Sequence, residues 1–155
     1  MRIGFGYDVH AFTPGKFIVL GGVKIPYKKS FKAHSDGDVL LHAICDAILG
    51  AAALGDIGKR FPDTDEQYAG ISSVSLLNET VYLLENEGFA LQNVDATIAM
   101  QQPKLQDFIP QMRKIIAEAC HLSIGAVSVK ATTTEKLGFV GEEKGAEAYA
   151  VVLVM

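Results

Sequence analysis

Between Asp38 and Leu54 the chain is apolar at almost every position, and the few polar residues in that run constrain how it can fold. Leu41, Ile44, Ile48, Leu49 and Ala52 recur at three- to four-residue spacing, which predicts one helix through Leu54. Asp36 and Asp38 offer N-cap oxygens for it, and Gly55 is the expected C-cap. Asp38, His42 and Asp46 stand one turn apart and form a polar line down one side. Burying unpaired polar groups costs on the order of several kcal/mol, so the line must face solvent, a partner or a metal-containing cleft. Asp38 and Asp46 are then candidates for orienting the His42 ring.

The rest of the chain alternates between the two regular periods. Ile3 to Phe12, Phe17 to Leu20 and Val23 to Tyr27 read as strands, the last two joined by Gly21-Gly22, a pair suited to a hairpin turn. Residues 55 to 70 show no periodicity. Ser72 caps a second helix built on Val74, Leu77, Val81 and Leu84, which Gly88 ends. Phe89 to Met100 reads as a strand, Phe108 to Leu122 as an amphipathic helix, and Val127 to Thr133 and Ala146 to Val154 as two further strands. This order predicts an α/β (α+β) fold, a single domain over residues 1–155 with one mixed β-sheet and helices packed on one face. The terminal strand is apolar at nearly every residue and carries neither Lys nor Pro to protect it, so a partner subunit is expected to cover it.

Composition narrows the function classes. With 49% hydrophobic and 21% charged residues, the chain falls among soluble globular proteins rather than disordered ones. A net charge of -4 without a Lys/Arg stripe argues against a nucleic-acid partner. No stretch approaches the ~20 apolar residues of a membrane span, and Met1 to Gly6 lacks the apolar core of a signal peptide. Cys45 and Cys120 lie in apolar helical runs without metal-knuckle spacing, as core thiols of a reduced, cytoplasmic protein would.

Two groups of residues carry chemistry. Asp8 and His10 share one face of the first strand, an arrangement that on its own reads as a hydrogen-bonded surface pair. With His42 they complete the two-imidazole, one-carboxylate set of catalytic zinc, which leaves a fourth position open. His34 and Ser35 precede the Asp38 helix, whose N-terminus favours anions such as a substrate phosphate. Thr132, Thr133 and Thr134 present three hydroxyls to phosphate oxygens, and Glu135 can hold a magnesium ion that bridges two phosphates. The same segment also reads as a Thr-rich edge strand running into a loop. Composition reads Gly55 to Gly58 and Phe61 to Asp65 as plain turns.

The ordered motifs decide among these readings. Arg2-Ile3-Gly4, Gly6, Asp8-Val9-His10, Ala33-His34-Ser35-Asp36-Gly37-Asp38, Gly50 to Lys59, Phe61 to Asp65 and Lys130 to Phe139 resemble the 2-C-methyl-D-erythritol 2,4-cyclodiphosphate synthase family over essentially the whole chain. The His-Ser-Asp-Gly-Asp and Thr-Thr-Thr-Glu-Lys-Leu-Gly-Phe blocks are highly specific. The resemblance implies a homotrimer with active sites between subunits and zinc held by Asp8, His10 and His42. It implies magnesium or manganese at Glu135 together with the substrate diphosphate. Asp8 and His10 also count as substrate contacts, as do His34 and Ser35 at the methylerythritol phosphate and Asp56, Ile57 and Gly58 beside it. Phe61, Pro62, Asp63, Thr64 and Asp65 lie nearby in this reading. The cytidine pocket maps onto Met100, Gln101, Gln102, Pro103, Lys104, Leu105 and Gln106. The diphosphate grip maps onto Thr132, Thr133, Thr134 and Glu135, with Phe139 at the end of the same motif.

The implied substrate is 4-diphosphocytidyl-2-C-methyl-D-erythritol 2-phosphate, whose 2-phosphate attacks its own β-phosphate and expels CMP. His34 and Thr133 are the implied catalytic groups, supporting the charge that develops. The chain departs from the family at Glu142, where many members carry an arginine, so residue 142 is not expected to bind a phosphate here. The rival reading is a zinc-dependent phosphoesterase in which the same site activates water.

Overall fold

The computed structural model describes residues 1–62 and 70–155. A long strand β1 (Arg2–Pro14) is followed by β2 (Phe17–Leu20), β3 (Val23–Pro26) and β4 (Lys29–Phe31). Helix α1 (Val39–Ala51) and a single helical turn, α2 (Ile57–Arg60), precede α3 (Ser73–Asn86). Then come β5 (Leu91–Ala99), α4 (Ile109–Ala119), β6 (Val127–Thr132), the short α5 (Gly138–Gly141) and β7 (Gly145–Val154). Five strands form one mixed sheet in the order β4-β1-β7-β5-β6, while β2 and β3 make a separate hairpin. The β5–β6 pair is parallel and the other three pairs are antiparallel.

Alternation along the strands sorts the two faces of the sheet. Ala146, Ala148, Ala150, Val152 and Val154 of β7, with Val94, Ala96 and Ile98 of β5, point into the core and are buried. Helix α1 lies across β1 and β7 on that face, and α3 packs against α1. The approach is close because β1 offers glycine there. A Cβ at Gly4 would sit 1.8 Å from the Ala47 carbonyl oxygen, and one at Gly6 would sit 1.9 Å from that of Ala43. Two bare backbones in contact leave no room for a side chain.

The expected fold class is the one found, with differences at the ends of elements. α1 stops at its C-cap Ala52, and the left-handed residue is Ala53 (φ 59°), two positions before the predicted stop at Gly55. The Leu54 N–H bonds back to Leu49 O at 2.9 Å and closes that end. The terminal strand is not an exposed edge: β7 lies between β1 and β5, so its backbone is paired on both sides. What stays uncovered is the sheet face away from the helices, where Ile3, Phe5, Tyr7, Val9 and Val151 are exposed. Among the described residues, no helix is long and apolar enough to cross a membrane.

Candidate metal centre and substrate cleft

The period of β1 puts Asp8 and His10 on the same face as Gly4 and Gly6, the face that meets α1. Because the glycines draw α1 in, His42 arrives beside the two strand residues. Asp8 Oδ2 lies 3.0 Å from His10 Nδ1 and 3.1 Å from His42 Nδ1, so one carboxylate oxygen faces two imidazoles. One potential ligand atom from each of the three residues falls within 4.8 Å of the others. His10 Nδ1 is buried, and despite its distance from Asp8 the angles make no hydrogen bond. An unpartnered ring nitrogen aimed at a carboxylate and a second imidazole fits a divalent cation with nitrogen and oxygen ligands.

Electrostatics follow from this crowding. Burial pushes the Asp8 carboxyl up, but the His10 and His42 rings outweigh it and hold the group at about 2. Burial pulls the His42 ring down, and the Asp8 carboxylate more than reverses that, so His42 stands above its ordinary value.

The polar line on α1 resolves into separate tasks. Asp38 is fully buried, accepts from Leu41 N at 3.1 Å as the N-cap, and takes Gly21 N at 2.9 Å and Gly22 N at 2.7 Å. It therefore clamps the β2–β3 turn onto the start of α1. Asp46 accepts from Ile57 N at 2.8 Å and holds α2. Neither carboxylate bonds the His42 ring, contrary to the expectation from spacing. The residue that does is Ser73, whose Oγ lies 3.0 Å from His42 Nε2. Asp36 does not cap α1 either; it accepts from Ser73 N at 2.9 Å and from the Ser73 hydroxyl. Ser73 was invisible in the sequence, because its neighbour Ser72 already satisfied the helix-start signal.

The three clustered residues line a cleft of about 770 Å³, together with His34, Ser35, Ile57, Gly58 and Phe61 from the predicted substrate segments. Lys32, just outside the Ala33–Asp38 motif, also lines it and brings a cation. Asp56 caps α2 through Lys59 N at 2.9 Å instead of lining the cleft. Pro62 is half-buried and outside the lining, while Asp63, Thr64 and Asp65 lie outside the described residues.

The remaining predicted residues form a second cluster. Met100 N bonds Thr132 O at 2.9 Å, and Lys136 N reaches Gln101 Oε1 at 3.3 Å, which joins the loop after β5 to the loop after β6. Thr133 Oγ1 donates to Glu135 Oε1 at 3.2 Å, and Thr134 Oγ1 donates to Leu137 O at 2.7 Å. Met100 and Leu105 are buried and leave only backbone for a ligand, whereas Gln102, Lys104, Gln106 and Phe139 are exposed. Register sets the distance between the two clusters. Asp8 pairs with Ala148, Ala148 with Ile98, and Ile98 with Ala131, so three strand spacings, roughly 14 Å, separate Asp8 from the Thr132 end of β6. One chain does not bring the threonines and the metal cluster together. Glu142 is exposed and ion-paired with Lys144.

A sequence model described as the YgbB family matches residues 1–155. The chain belongs to the YgbB family. Within it, the chain is 58% identical to the 2-C-methyl-D-erythritol 2,4-cyclodiphosphate synthase of Syntrophobacter fumaroxidans, covering 99% of this chain and 97% of that one. A solved 2C-methyl-D-erythritol-2,4-cyclodiphosphate synthase in a CDP-bound form superposes with a TM-score of 0.93 at 34% identity, covering 99% of this chain and 100% of that one. The bifunctional IspDF of Campylobacter jejuni superposes with a TM-score of 0.94 at 44% identity; 99% of this YgbB-family chain is covered, but it spans only 42% of that protein.

Proposed function

We propose that this chain converts 4-diphosphocytidyl-2-C-methyl-D-erythritol 2-phosphate to 2-C-methyl-D-erythritol 2,4-cyclodiphosphate and CMP. The observation that carries the reading is the Asp8–His10–His42 cluster inside a cleft shared with His34 and Ser35, in a chain 58% identical to a protein named for that synthesis. One bond forms, between a 2-phosphate oxygen and the β-phosphorus. One breaks, between the β-phosphorus and the oxygen that leaves with its electron pair on CMP. No protein nucleophile is required, so the chain's work is positioning and charge stabilisation.

Asp8, His10 and His42 would hold zinc, which when bound supplies Lewis acidity toward a phosphoryl oxygen. Glu135 would hold magnesium or manganese, whose charge offsets that of a diphosphate. His34 and Ser35 donate to phosphate oxygens at the cleft, and Thr133 with His34 opposes the charge that grows at the β-phosphate. Residues 100–106 receive the cytidine.

Since the threonine cluster stands three strands from the metal cluster of its own chain, we assign it to the cleft of a neighbouring subunit in a homotrimer. The exposed apolar sheet face supports that assembly, because Ile3, Phe5 and Val151 otherwise remain in water. Phosphorus NMR after incubation with substrate, zinc and magnesium tests the reaction. A cyclic diphosphate plus CMP is the expected outcome, whereas linear hydrolysed phosphates would overturn it in favour of a phosphoesterase.

A further inference from the structure

The side of the His42 ring turned away from Asp8 leads into a hydrogen-bonded chain that the proposed reaction does not use. Its Nε2 lies 3.0 Å from Ser73 Oγ, and Ser73 is only 1% exposed. A serine hydroxyl has one proton to give. Asp36 takes it: this carboxylate accepts the Ser73 hydroxyl on Oδ1 and the Ser73 backbone N–H on Oδ2 at 2.9 Å. With its proton committed, the Ser73 oxygen faces His42 with lone pairs alone. The hydroxyl is not needed to start α3, because Ser72 already caps that helix by accepting from Ser75 N at 3.2 Å.

We infer that Asp36 and Ser73 are positioning residues that keep the proton of His42 on Nε2 and so reserve Nδ1, which faces Asp8, as the metal-ligating atom. The inference rests on the metal reading proposed above. It also gives the loop before α1 and the first turn of α3 a common purpose, since each supplies one link of the relay. A ring held this way has only the Nδ1 proton it shares with Asp8 to give up when a cation arrives, and partners of this kind commonly carry roughly 10- to 100-fold in metal affinity.

The test is a zinc titration against a competing chelator, joined to long-range proton–nitrogen NMR of His42 in the zinc-loaded protein, on the wild type, Ser73→Ala and Asp36→Asn. The Asp36→Asn amide would donate to Ser73 Oγ, turning the serine proton toward Nε2 and pushing the ring proton onto Nδ1, where it opposes the metal. Expected are an Nε2-protonated His42 in the wild type and a zinc affinity roughly 10- to 100-fold weaker in both variants, with circular dichroism unchanged. A wild-type ring protonated on Nδ1, or variants with unaltered affinity and unaltered His42 signals, would overturn the inference. His42→Ala separates the two claims. Loss of zinc there supports the metal reading on which the relay depends, and retained zinc overturns both.

Discussion

Asp8 holds two imidazoles against one carboxylate oxygen, and this arrangement leaves a signature in acid. In the folded metal-free protein its carboxyl stands at about 2, against an ordinary 3.8. A depressed folded value means that the stabilisation is complete above about pH 4 and disappears as pH falls toward 2, amounting to about 2 kcal/mol. Urea midpoints of metal-free protein between pH 6 and pH 2 should show that loss, and Asp8→Asn should lack it; parallel curves would refute the assignment. Asp38 makes a different prediction, because it satisfies three backbone N–H groups around a buried carboxylate. Asp38→Ala strands all three and should cost roughly 3 kcal/mol or more in chemical unfolding. The sequence placed Asp38 and His42 on one helical line but could not name their partners. Gly21 is 17 residues from Asp38, and Ser73 is 31 from His42, and no local spacing encodes a contact of that kind.

At the scale of elements, the contact between α1 and β1 decides whether the metal cluster exists. Gly6→Ala would drive a methyl group into the Ala43 carbonyl, so the helix must lift and carry His42 away from Asp8. The expected cost is about 1–3 kcal/mol of stability together with weakened zinc binding by chelator competition. Gly50→Ala on the same helix is the control, since a Cβ there meets nothing nearer than 3.9 Å and the change favours helix by about 0.5–1 kcal/mol. The elements of nine or more residues, β1, α1, α3, β5, α4 and β7, were legible because their apolar patterns are sustained. β4, α2 and α5 span three or four residues, too few for any period to show, and tertiary contacts define them instead. The glycines at positions 4 and 6 did carry a signal, an alternate-residue pair within a strand, but only the helix lying on them explains it.

For the whole molecule, the proposed assembly predicts that metal binding and turnover can be separated. Val151 is exposed on the outer sheet face directly opposite Phe5, so Val151→Lys puts a charge where subunits would meet without entering the core. Sedimentation should find a monomer that still binds zinc yet releases no CMP; a fully active monomer would contradict the shared site. The sheet order itself could not be read from sequence, because local pattern does not say that the final strand sits in the middle. That position has a consequence for synthesis. β1 is made first and its long partner β7 last of all the strands, with Arg2 opposite Val154, and β5 also waits for β7. Until that last segment has left the ribosome the sheet has two halves and no centre. The centre of the sheet therefore forms last, and the nascent β1 must be kept from pairing with other chains in the interval.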